Sequence, residues 1–144
     1  MPAIEPRPEQ LEALVAKKPA GSLYMLNLLK FRERAAYEDG RETDLTGAAA
    51  YMIYGAAVQK IINGFGGELV FGGPANVLLI GDGELEWDFV GIMRYPSFEH
   101  FTKMTESEEY QSIHVHREAG LEHQVLINCL DAQQAMAALA KQAR

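Results

Sequence analysis

A chain of 144 residues that is 48% hydrophobic and 23% charged has the composition of a globular domain and can bury a real core. Its net charge of −7 excludes a nucleic-acid partner, because replacing counterions around phosphates needs a basic face and the densest basic pair here is Lys17-Lys18. No stretch reaches the roughly 20 apolar residues of a membrane span, and the opening MPAIEPRPEQ has no secretory pattern, so a cytoplasmic protein is the expectation.

Pro8 to Lys17 reads as a short helix, with proline in its first turn and one apolar stripe from Leu11, Leu14 and Val15. Pro19 to Ser22 breaks it. Leu23 to Phe31 is apolar on both parities, as a strand covered on both faces is. Arg32 to Thr46 is a long polar connection carrying the turn signal Asp39-Gly40. A helix follows from Gly47 to Asn63, and Tyr51, Tyr54, Val58, Ile61, Ile62 and Phe65 mark its buried face. Glu68 to Phe71 and Asn76 to Ile80 read as a hairpin turned by Gly72-Gly73-Pro74-Ala75.

Asp88 to Tyr95 is a further strand, closed by Pro96. Ser97 caps the next helix, and Thr105 to Glu108 matches a capping box, so the helix restarts there and runs to Glu118, with Gly120 ending it. Gln124 to Leu130 is the last strand, followed by an alanine-rich helix or tail. The lone Cys129 excludes an intrachain disulfide and a multi-cysteine metal centre, and its apolar setting predicts a small buried thiol.

With the N-terminal helix and tail set aside, the order is β-α-β-β-α-β, an α+β ferredoxin-like arrangement with a four-stranded antiparallel sheet. One domain is expected, with core 22–130, a helical extension 1–21 and a helix or tail 131–144. Crossover handedness puts both helices on one face. The doubly apolar strands would then expose a large patch on the other, which predicts a homodimer packed face to face as a barrel.

Asn27-Leu28-Leu29-Lys30-Phe31-Arg32, Tyr51, Tyr54, Trp87-Asp88 and the series Arg94-Tyr95-Pro96-Ser97, Phe101, Met104, Tyr110-Gln111, His116-Arg117 resemble the DUF1330 family over roughly residues 22 to 130. The resemblance implies the dimeric α/β-barrel superfamily, which includes antibiotic-biosynthesis-type monooxygenases and muconolactone-isomerase-like proteins. DUF1330 itself has no settled activity.

Arg117 falls on the inward side of its helix beside Tyr110 and Ile113, and a buried guanidinium must be paired. It is either a structural ion pair, with Asp88, Glu68 or Glu122 as partner, or a clamp for a ligand carboxylate or enolate. His116 beside it either moves a proton or makes a structural hydrogen bond. Tyr51, Tyr54, Tyr110 and Asn27 would line a cleft next to Arg117, or simply pack and pin the fold. Arg94, at a strand end, reads as a salt bridge or a further ligand contact, and Trp87 as packing or a dimer contact.

His114 and His116 point about 200° apart on a helix and cannot share one ion, so no metal site is expected. The glycines of Gly64 to Gly67 follow a helix, the reverse of a nucleotide fingerprint, and no other cofactor motif appears. The function this supports is a small cofactor-independent monooxygenase or isomerase acting on an apolar carbonyl- or phenol-bearing metabolite, with His116 and Arg117 catalytic. The alternative is a non-catalytic dimer that binds a small apolar or carboxylate-bearing ligand, or a structural protein.

Overall fold

Among the described residues, 3–18 and 20–143 of a computed structural model, the elements run α1 (Pro8–Ala16), β1 (Leu23–Phe31), α2 (Gly47–Gly64), β2 (Glu68–Pro74), β3 (Phe89–Tyr95), α3 (Phe98–Glu106), α4 (Glu108–Gly120), β4 (Leu121–Cys129) and α5 (Ala132–Gln142). The strands form one antiparallel sheet in the order β2-β3-β1-β4. With α1 and α5 set aside this is the expected ferredoxin-like βαββαβ fold. No helix among the described residues is long and apolar enough to cross a membrane.

The pleat of β1 divides the molecule. Its odd positions Leu23, Met25 and Leu29 are buried. Leu23 and Met25 share a core with Tyr54, Val58 and Ile62 of α2, and with Tyr95 and Met104. That α2 stripe is the one its spacing predicts. The even positions Leu26 and Leu28 pair with Ile92 and Val90 on one side and with Ile127 and Val125 on the other. Residues paired across a ladder share a face, so these side chains lie together opposite the helices. Cys129 pairs with Tyr24 on this open face and is only half-buried, rather than enclosed as its apolar setting suggested.

Three local expectations need correction. Residues 76–80 form no strand. Instead β2 continues through Gly72, Gly73 and Pro74, which pair with Gly91, Val90 and Phe89. Both edges of β3 are thereby taken, by β2 and β1, and the 76–80 run is left exposed, Leu79 and Ile80 almost fully so. An edge strand also tolerates the donorless proline that seemed to signal a turn. The cap that restarts the helix is Ser107, whose hydroxyl accepts from the Tyr110 N–H at 3.2 Å, two residues beyond the Thr105 box. The cap at Ser97 is as expected, accepting from the His100 N–H.

Gly120 does more than end α4. A Cβ placed on it would lie 2.4 Å from the Gly47 carbonyl oxygen and 2.8 Å from the Tyr51 nitrogen. The end of α4 and the start of α2 therefore touch backbone to backbone, and only glycine fits between them. Gly120→Ala is expected to destabilise the fold by about 1–3 kcal/mol, the usual cost of overpacking, read as a lower urea midpoint at unchanged m-value.

Candidate functional site

Helix α4 presents Tyr110, His114 and Arg117 at spacings of four and three, one strip of its surface. Arg117 is buried, with about a tenth of its surface accessible. Its Nη1 donates to Glu5 Oε1 at 2.9 Å, and its Nη2 donates to the Ile4 carbonyl and to Gln124 Oε1, the latter at 2.6 Å. Gln124 Nε2 donates in turn to Asn27 Oδ1 at 2.8 Å, and Asn27 Nδ2 donates to the Met25 carbonyl at 3.2 Å. A polar relay thus runs from α4 across β4 into the middle of β1. It explains the polar residue in an otherwise apolar strand.

The carboxylate is not one of those expected. Asp88 accepts from the Phe31 N–H at 2.8 Å, Glu68 pairs with Arg94, and Glu122 approaches Lys30. Each is held by its own strand neighbours, so the partner comes from segment 3–6, which no periodicity tied to α4. That segment is anchored next to β4: the Gln124 N–H donates to the Ala3 carbonyl at 2.8 Å, and the Ala3 N–H donates to His123 Nδ1 at 3.1 Å.

Tyrosines wall the site. Tyr51 and Tyr54 stack with centroids 5.2 Å apart, and the Tyr54 hydroxyl donates to that of Tyr110 at 3.1 Å. Burial pushes the Tyr51 hydroxyl up to about 12 and Tyr54 well above its ordinary value, and the Arg117 charge only partly offsets this. Both stay protonated donors through the physiological range.

His116 is not in this group. Its Nδ1 shares a 2.7 Å hydrogen bond with the Tyr37 hydroxyl from the loop after β1, on another side of α4. Arg94 also lies apart, on the open-face parity, where it binds Glu68, Ser22 and the Gly66 carbonyl, the salt bridge its position predicted. Trp87 stacks on His123 at 5.0 Å. The residues missed by sequence reasoning are Gln124, Glu5 and His114. His114 was legible in the 110-114-117 spacing; Gln124 and Glu5 carry no local signal.

His114 sits between two carboxylates, Nε2 3.4 Å from Glu5 Oε1 and Nδ1 2.5 Å from Glu118 Oε1. Glu38 in turn lies against Glu118, which pushes the Glu38 carboxyl up. Glu5, His114 and Glu118 bring one donor atom each within 4.8 Å, a spacing that suits a divalent cation. The Arg117 guanidinium on the same Glu5 oxygen opposes a second cation there.

Fold and site together define a ferredoxin-like α+β protein with a buried arginine on α4 that is held by segment 3–6 and β4. The family model of the domain of unknown function DUF1330 matches residues 40–128, and the chain belongs to that family. It is similar to a protein of unknown function, RPA0582 from Rhodopseudomonas palustris, at 36% identity over 90% of this chain and 96% of that one, with a TM-score of 0.80. A methylated form of RPA0582 gives 38% identity over 89% and 93% of the two chains at the same TM-score, 0.80. An uncharacterised NIPSNAP domain protein from Burkholderia xenovorans shares the fold at 16% identity, over 76% of this chain and 94% of that one, with a TM-score of 0.50. No curated protein matches the chain.

Because Tyr51 holds its proton more tightly folded than unfolded, its contribution to stability is complete below its unfolded value of 10.0 and is lost as pH rises through about 12. Unfolding free energy measured between these limits should fall with pH, and Tyr51→Phe should flatten the slope.

Proposed function

We propose that the chain forms a homodimer in which each protomer binds a small apolar molecule bearing a carboxylate at Arg117. One observation carries the ligand reading: Arg117 is buried, yet its carboxylate comes from Glu5, a side chain about half exposed on a segment outside the core. A guanidinium fork suits a carboxylate bidentately, and Tyr51 and Tyr110, both only partly buried and packed on the buried Tyr54, offer apolar surface with polar edges for the remainder of the ligand. Asn27, acting through Gln124, fixes the fork in place. His116, the expected proton carrier, is engaged by Tyr37, which favours binding over the oxygenase or isomerase chemistry that the superfamily suggests.

The dimer reading is supported by the open sheet face. Leu26, Leu28, Val90, Ile92, Val125 and Ile127 lie together there, and no helix among the described residues packs across them. Burying such a face against a second copy removes apolar area from water at about 25 cal/mol per Å². The two sheets would then close the barrel.

Light scattering on the purified chain should give twice the chain mass of 16.0 kDa, and Leu26→Asp should give the monomer mass; a wild-type monomer at high micromolar concentration would sink the dimer. Benzoate should shift the ring resonances of Tyr51, Tyr54 and Tyr110, whereas benzamide, its neutral counterpart, should not. If benzoate leaves those rings unmoved in the wild type and in variants at Glu5, the site takes no carboxylate.

A further inference from the structure

The Arg117 site already contains a carboxylate and a carbonyl, and both come from one short segment. Glu5 Oε1 stands 2.9 Å from Arg117 Nη1 and 3.4 Å from His114 Nε2, and the Ile4 carbonyl accepts from Nη2. The segment therefore offers the arginine the two oxygens that a bound carboxylate would offer. Its hold on the fold is slight. The backbone of Ala3 makes the two bonds to Gln124 and His123, and α1, which follows, contains no buried residue. The Glu5 side chain itself is 52% exposed, so water competes for its ion pair. The family model starts at residue 40 and so includes Arg117, Gln124 and the three tyrosines but not the segment that pairs with Arg117.

We infer that Ala3–Glu5 is a displaceable strap, in which Glu5 fills the Arg117 clamp as an internal substitute for the carboxylate of a small organic acid, so that ligand binding and strap docking exclude each other. This rests on the ligand reading above and adds its regulation. A strap that closes the site most of the time lowers the apparent affinity by the fraction of molecules that are open. Arg117 never stands unpaired in either state, which removes the large cost of a bare buried guanidinium. The exchange is one carboxylate for another on the same fork.

The fold supplies its own reporter. Trp87 is the single tryptophan of the chain, and it stacks on His123, whose Nδ1 accepts from the Ala3 N–H. Undocking the strap removes that hydrogen bond and changes the environment of the indole.

The experiment uses the full chain and benzoate, with the wild type compared with Glu5→Gln and with Glu5→Ala, either of which removes the competing charge at an exposed position. Affinity is read from the tyrosine ring shifts, strap docking from Trp87 fluorescence and amide exchange at residues 3–5. Benzoate should bind the wild type, alter the Trp87 signal and speed exchange in the strap, and both variants should bind about tenfold more tightly. If benzoate moves the tyrosine rings but binds all three proteins equally and leaves Trp87 and the strap amides unchanged, the strap is no gate and only this inference falls. If it binds none of the three, including those with the competing charge removed, the ligand reading falls and the strap with it.

Discussion

A guanidinium does not give up its proton in a protein interior, so a fold that buries one must supply acceptors for it. Much of this structure is arranged around that requirement. Arg117 draws a glutamine from β4, a carboxylate and a carbonyl from segment 3–6, and through the glutamine an asparagine from the central strand. Elements far apart in sequence are joined because one charge cannot be left bare. Burial of the guanidinium strengthens its contacts to Gln124 and to the Ile4 carbonyl, while the half-exposed Glu5 leaves its own contact open to water.

The helices that bracket the site are fixed by a different device. Gly120 lets the end of α4 meet the start of α2 at backbone distance, Gly47 lets the start of α2 meet the Arg32 backbone, and Tyr51, one turn into α2, rides on the first contact. Its ring stacks on Tyr54, which bonds to Tyr110 on α4. The position of the aromatic wall therefore follows from the close approach of Gly120 to the Gly47 carbonyl and the Tyr51 nitrogen. The relay of Asn27, Gln124 and Arg117 crosses the sheet edge from the other side, so the site is set by packing on one flank and by hydrogen bonds on the other.

How much of this could be read in the chain depends on the range of the interaction. The α2 stripe of Tyr54, Val58 and Ile62, and the doubly apolar β1, are local patterns with periods of their own, and both were legible. So was the inward setting of Arg117, from its helical phase relative to Tyr110. The strand expected at 76–80 was misread because a β-forming run needs a free neighbour, and whether β3 has one is decided by β1, some sixty residues earlier. Pairing Arg117 with Glu5 spans 112 residues, and no spacing rule reaches that far. His116 illustrates the remaining limit. Adjacency in sequence to Arg117 places the two about 100° apart on the helix, which was enough to give them different partners.

The strand order has a consequence in time as well as in space. β1 is one of the two inner strands, yet it is the first strand to leave the ribosome, and its neighbours are β3 at 89–95 and β4 at 121–129. Until those segments are made, a strand apolar on both faces waits without its ladder and without the full helical layer that covers one of them. Synthesis at the usual 5–20 residues per second leaves it in that condition for several seconds. During that interval the nascent chain offers its most adhesive segment to whatever binds unfolded protein, so the residue pattern that makes the finished core also sets the period of greatest risk on the way to it.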